Sequence, residues 1–220
     1  PILVKRNKLF HSMLLDGVTI EIERDGKREP EPVRIVDFGN AENNTFQVVN
    51  QFTIQGTKQP RRPDVVAFIN GIPVAVIELK NPDNEDTDIY SAFNQIQTYK
   101  DEIPDLFAYN VANIISDGYN ARVGSLTANT EWYMPWRAIK NEDDRPKLEF
   151  ELETVIKGFF NPELFLDYIR HFILFEQDGD HAIKKIAGYH QFHAVREAVK
   201  AVITASRAPE GRVEDQPRAT

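Results

Sequence analysis

Asp64, Glu78 and Lys80 are the residues of this chain whose types and spacing best suit them to catalysis. Glu78 and Lys80 lie two apart in Val74-Ala75-Val76-Ile77-Glu78-Leu79-Lys80. That run reads as a strand, so the two side chains share one face. Glu78 sits among apolar neighbours, where an unpaired carboxylate is costly to bury. Asp64 opens the preceding strand candidate, Asp64 to Ile69, and Asn70-Gly71 supplies the turn between the two. Two carboxylates brought together can bind a hard divalent cation such as Mg2+, or Mn2+ in its place, and the main-chain carbonyl of Leu79 is placed to be a further ligand. Lys80 would orient or deprotonate a water, or stabilise charge developing on a phosphate. Metal plus ammonium suits phosphodiester hydrolysis.

The turn decides whether the carboxylates meet. A two-residue Asn70-Gly71 loop pairs Ile69 with Ile72 and Asp64 with Ile77, which aims Asp64 away from Glu78. A three-residue loop, with Gly71 as a bulge at positive φ, pairs Phe68 with Ile72 and Asp64 with Val76. Asp64, Glu78 and Lys80 then share a face. The metal-site reading therefore requires a positive φ at Gly71 and that register, or an equivalent bulge.

The elements around this hairpin follow from periodicity. Residues 2–15 read as an amphipathic helix ended by Gly17, and Val18 to Ile22 as a strand. Asp25-Gly26-Lys27 is a turn, Val33 to Phe38 a second strand and Thr45 to Ile54 a third. A polar loop, Gln55 to Pro63, carries Lys58, Arg61 and Arg62, which read either as phosphate contacts or as a solvated loop. Residues 88–102 read as a helix, with Ile89, Phe93 and Ile96 along one stripe. Val111 to Ser116 and Ala121 to Leu126 read as paired strands. Past about residue 147 the pattern is helical, with Asn161-Pro162 as a helix start. Trp132 and Trp136 read as packing residues. The acids Asp83, Glu85, Asp86 and Asp88 read as a solvated loop.

Composition bounds the function. The chain has 220 residues, no cysteine and a formal charge of −8. That balance argues against gripping nucleic acid by bulk electrostatics, although it permits DNA chemistry where another domain holds the duplex. Disulfides and thiolate metal sites are excluded. No apolar run approaches the ~20 residues of a membrane span, and no signal peptide opens the chain, which points to a cytoplasmic protein. The opening at Pro1 points to a fragment or a processed product.

Asp64…Glu78-Leu79-Lys80 resembles the PD-(D/E)xK nuclease motif, and Gln95-Ile96-Gln97-Thr98-Tyr99 resembles the QxxxY motif of one branch of that superfamily. Longer stretches narrow the match: Asn50-Gln51-Phe52-Thr53, Arg61-Arg62-Pro63-Asp64, Phe68 to Pro73, and Ile114-Ile115-Ser116-Asp117-Gly118. Lys184-Lys185-Ile186-Ala187 and Tyr189-His190-Gln191-Phe192-His193 extend it. Together they resemble the nuclease region of type I restriction endonuclease R (restriction/motor) subunits over roughly residues 7–205.

The resemblance implies an α/β fold: a restriction-endonuclease-like core, a mixed central sheet flanked by helices, with a helical C-terminal extension. It implies a nuclease domain over 1–147, a helical connector to an ATP-driven motor over 148–205, and a linker or disordered tail over 206–220. Asp64 and Glu78 would be metal ligands and Lys80 the catalytic lysine. Gln95 and Tyr99 would support the site and contact the DNA backbone. Gln191 would contact the adenine of ATP in the intact subunit; the chain itself has no G-x-x-x-x-G-K-[ST] phosphate loop. Double-stranded DNA and the methyltransferase and specificity subunits would be the partners. An upstream acid often completes such a site, and Glu42 and Asp16 are weak stand-ins. Two other readings stand beside this one: a catalytically silent docking module of the R subunit, and a stand-alone repair nuclease of the same superfamily.

Overall fold

A computed structural model describes residues 2–81, 88–139, 150–179 and 181–207. Asp83, Glu85, Asp86, the expected boundary at 147/148 and the tail beyond 207 lie outside the described residues. Helix α1, Ile2–Asp16, ends where Gly17 takes φ +83 and donates its N–H to the Met13 carbonyl at 2.9 Å. Strands β1 (Val18–Arg24) and β2 (Lys27–Val33) form a separate two-stranded ribbon. The second strand thus lies earlier than the expected 33–38. Asp25 and Gly26 both have positive φ, and this two-residue turn pairs Arg24 with Lys27 and Val18 with Val33. Pro30 and Pro32 are tolerated because β2 has a partner on one side only. Asp37 instead folds a loop, accepting the N–H groups of Gly39 and Asn40.

The central sheet has five strands in the order β3 (Phe46–Asn50), β4 (Val65–Ile69), β5 (Ile72–Leu79), β6 (Ala112–Ser116) and β7 (Ala121–Gly124). All pairs are antiparallel except β5–β6. A parallel pair needs a crossover, and here it carries helices α2 (Ile89–Glu102) and α3 (Pro104–Phe107). Asp88 starts α2 with a capping box, accepting the Ser91 N–H at 2.9 Å.

The sheet separates two cores. On the α2 side, Val66, Val76 and Ile115 pack with Ile96, Tyr99 and Phe107. On the other, Ala67, Ile69, Ala75, Ile77 and Ile114 pack against the chain after residue 150. That chain contains α4 (Glu151–Thr154), a π-helical stretch (Val155–Phe159) and α5 (Pro162–His171). A hairpin follows, β8 (Ile173–Asp178) and β9 (His181–Ile186), and then α6, Tyr189–Arg207. The hairpin interrupts a region whose pattern reads as helical throughout. Trp136 is the hub of the second core, with ring centroids 5.0 Å from Phe159 and 5.4 Å from Phe192. Trp132, by contrast, is 63% exposed and does not act as a packing residue. The architecture is α/β, a mixed five-stranded sheet flanked by helices with a C-terminal helix, as a restriction-endonuclease-like core requires. Among the described residues, no helix is long and apolar enough to cross a membrane.

Strand β9 is locked to the rest by Lys184. Its main-chain carbonyl accepts from Ser125 Oγ at 2.7 Å, and its buried ammonium donates to the Asn110 carbonyl at 2.5 Å. The Asn7 amide converges on that same carbonyl at 2.8 Å. Burial lowers the Lys184 pKa to about 7. The folded chain therefore binds fewer protons than the unfolded chain between pH 7 and the ordinary lysine range, so this group makes stability rise with pH there. Lys184→Met is expected to remove that slope, on the order of 3 kcal/mol across the window. Urea unfolding of both proteins at pH 7 and 9.5 measures it; equal slopes would refute the assignment.

Candidate metal centre

The hairpin β4–β5 brings the carboxylates together by a route that differs from the expected one. Asn70 (φ 51) and Gly71 (φ 81) form a two-residue turn, and Ile69 pairs with Ile72. That register alone would aim Asp64 away from Glu78. The register then shifts: Phe68 pairs with Pro73, but Ala67 pairs with Ala75. Val74 is the extra residue, and Val74 and Ala75 both face the core opposite α2. Pro73, with no N–H to give, sits where the ladder is already disrupted. Past the bulge, Val66 pairs with Val76 and Val65 with Ile77. Extended by one pair, this register sets Asp64 opposite Glu78, on the α2 side. The equivalent bulge exists, in β5 and not at Gly71.

Asp64 is held on both oxygens. Oδ2 accepts the Leu79 N–H at 2.9 Å, and Oδ1 accepts from Gln51 Nε2 at 2.9 Å. Glu78 is 3% exposed. Its Oε1 accepts from Lys80 Nζ at 2.8 Å, while Oε2 is buried without a hydrogen-bond partner. Burial pushes the Glu78 carboxyl up; the Lys80 ammonium pulls it down, and the Asp64 charge pushes it up again. Lys80 is anchored through its N–H to the Ser116 carbonyl at 2.8 Å, on the neighbouring parallel strand.

Helix α2 supplies the wall of the site. Tyr99 is buried, and its phenol is raised by burial, then by the charges of Glu78 and Asp64 and by its side-chain interaction with the Glu78 carboxylate. Its hydroxyl also lies 3.4 Å from the Arg62 carbonyl, just ahead of Asp64. Gln95 is one turn earlier on the same helix and partly buried. Of the three basic residues expected at phosphate, Arg61 instead pairs with Glu102 at the end of α2, and Lys58 lies 4.0 Å from the same carboxylate. Arg62 is exposed. Arg61 thus ties the loop before Asp64 to the helix that carries Tyr99.

The donor set fits a hard cation. Its ligands are oxygen, one buried oxygen lacks a partner, and Mg2+ is commonly held by one or two carboxylates with waters completing its shell. Among the described residues, no third His, Cys, Asp or Glu joins the pair. Glu42, in a 3-10 turn (Ala41–Asn43), and Asp16, at the end of α1, do not complete it. Gln191 lies elsewhere, at a cavity of about 880 Å3 between the β7 side and β9. There its Oε1 accepts the Gly188 N–H at 2.9 Å and caps α6.

Gln51 stands in the Asn50-Gln51-Phe52-Thr53 stretch of the resemblance, which gave it no role; its φ of 53 and its bond to Asp64 place it beside the site.

The fold is that of a restriction-endonuclease-like α/β core, and comparison with known proteins places the chain in a family. Residues 2–132 match the family described as type I restriction enzyme R protein N terminus. The chain belongs to that family. It is 48% identical over 208 residues to the type I restriction enzyme HindI endonuclease subunit of Haemophilus influenzae, covering 93% of this chain and 20% of that protein. It is 32% identical over 217 residues to the putative MjaIXP endonuclease subunit of Methanocaldococcus jannaschii, covering 90% of this chain and 20% of that protein. A Staphylococcus aureus endonuclease subunit, SauMSSORF170P, is 32% identical over 121 residues, 54% of this chain and 12% of that protein. The chain spans about a fifth of the length of the first two relatives.

Proposed function

We propose that this chain is the metal-dependent nuclease unit of a type I restriction R subunit, hydrolysing DNA phosphodiester bonds. The observation that carries the reading is the bulged hairpin: it sets Asp64 across from a buried Glu78 whose Oε2 has no hydrogen-bond partner. Asp64 and Glu78 would hold Mg2+ or Mn2+, with the Leu79 carbonyl as a further ligand. Such a cation, when bound, activates water and offsets charge on the scissile phosphate. Lys80 Nζ, fixed by Glu78, holds a water or faces the oxygen on which charge develops. Buried Tyr99 supports the site from the α2 wall, partly buried Gln95 reaches toward the DNA backbone, and exposed Arg62 and Lys58 lie on the approach.

On this reading residues 1–147 are the nuclease and 148–205 its link to a motor. Cleavage in the intact cytoplasmic subunit is coupled to ATP-driven translocation, and Gln191 contacts adenine there. Methyltransferase and specificity subunits supply site choice. The charge of −8 is consistent with DNA being held largely by those other parts.

Calorimetric titration of Mn2+ into this chain and into Asp64→Asn tests the reading. Binding is expected in the parent and not in the variant. Absence of binding in both, with both folded, would reject the metal site and favour a docking role for the domain.

A further inference from the structure

We infer that Gln51 is a positioning residue that fixes the Asp64 carboxylate before a cation arrives; the inference rests on the metal-site reading above. Gln51 follows β3 directly, one step beyond the last ladder pair, Asn50 with Val65. It is exposed, so its side chain adds nothing to either core. Its backbone N–H already closes the strand end by donating to the Asp64 carbonyl at 2.8 Å. Its side chain then turns to the same residue and donates Nε2–H to Oδ1 at 2.9 Å. One residue thus grips Asp64 at main chain and side chain together.

It does so from a backbone conformation that a glutamine rarely adopts. The φ of 53 is left-handed, and such conformations persist where the surroundings hold them in place. The left-handed turn is what brings the side chain back across the strand end to Oδ1. Asn50, in ordinary strand geometry, pairs with Val65 instead.

The effect on Asp64 is specific. A carboxylate has about four lone-pair sites. Gln51 takes one on Oδ1 and the Leu79 N–H one on Oδ2, leaving each oxygen able to accept one further bond. With both oxygens tethered, the rotamer is set in advance, and cation binding need not order it. Glu78 is oriented from its own strand, by Lys80 two residues further on. Each carboxylate therefore has its own orienting donor, and Gln51 is the one for Asp64.

The test compares Mn2+ affinity, by calorimetry and by loss of the free-ion electron paramagnetic resonance signal, in the parent chain, Asp64→Asn, Gln51→Gly and Gln51→Met. Glycine accepts the left-handed backbone without strain and removes the whole side chain. Methionine keeps the length of the side chain and removes the donor. Both are expected to weaken Mn2+ binding by about threefold to tenfold, the cost of ordering one side chain on binding. The metal-free unfolding midpoint of Gln51→Gly should hold or rise. Affinity loss without stability loss separates positioning from a structural role. Parent-like affinity, within twofold, in both Gln51 variants while Asp64→Asn fails to bind overturns this inference and leaves the metal site standing. No binding in the parent chain overturns both.

Discussion

Lys80→Ala, introduced into a full-length R subunit, is expected to lower DNA cleavage by roughly 10^2–10^4-fold, the usual worth of a positioned proton-transfer or charge-stabilising group. The fold should survive. Lys80 is held at the end of β5 by a main-chain bond to Ser116, which alanine retains. Its side chain keeps about a fifth of its surface, so truncation leaves no sealed void. What the variant loses is the ammonium 2.8 Å from Glu78 Oε1. Glu78 is then buried without its countercharge, and its carboxyl moves further up. Cleavage measured beside circular dichroism and Mn2+ affinity separates the roles. A folded Lys80→Ala protein that cleaves at the parent rate would end the assignment of Lys80 to the reaction.

Glu78→Gln is expected to move stability and metal binding in opposite directions. The Glu78 carboxyl lies above its ordinary value because burial opposes its charge. Between the ordinary and the raised value, the folded chain holds a proton that the unfolded chain has released. Stability contributed by this group therefore falls as pH rises through that window. Above it, the metal-free protein carries a buried charge whose partner, Lys80, compensates it incompletely. Glutamine removes the charge at nearly the same volume. The metal-free variant should be more stable than the parent at pH 8, with the gap closing as pH falls through the window. Mn2+ binding should be lost. Unfolding midpoints at pH 5 and 8 give the result, and a variant less stable than the parent at pH 8 would contradict it.

These two residues were legible in the sequence, but their relation to Asp64 was not. Carboxylates and a lysine at alternating strand positions can be read from type and spacing. Helix α2 announces itself through its stripe, whereas Asp88, which reads as part of a solvated loop, turns out to cap it; the parallel β5–β6 step is consistent with a helix between two strands. The position of a bulge depends on how Val74 packs, and packing is a property of the assembled core. The same limit explains the other discrepancies. Strand β2 contains two prolines that propensity reads as breakers, and only its one-sided pairing shows why they are harmless. Strands β8 and β9 are held by long-range bonds such as Ser125 to Lys184, 59 residues apart, which no local window contains. Arg61 reads as a free cation beside the site until Glu102, 41 residues on, is brought against it.

Val74 has no partner across the hairpin, and the meeting of Asp64 and Glu78 depends on its standing outside the ladder. The spacing between them is thus one residue out of step with a regular hairpin. Removing Val74 would leave a regular ladder in which Ala67 still pairs with Ala75 and Asp64 still stands opposite Glu78. Pairing Val74 with Ala67 instead would set Asp64 opposite Ile77 and part the carboxylates with no change of sequence. The alignment of the two acids is thus a choice of ladder, and an unaltered motif is no guarantee of it.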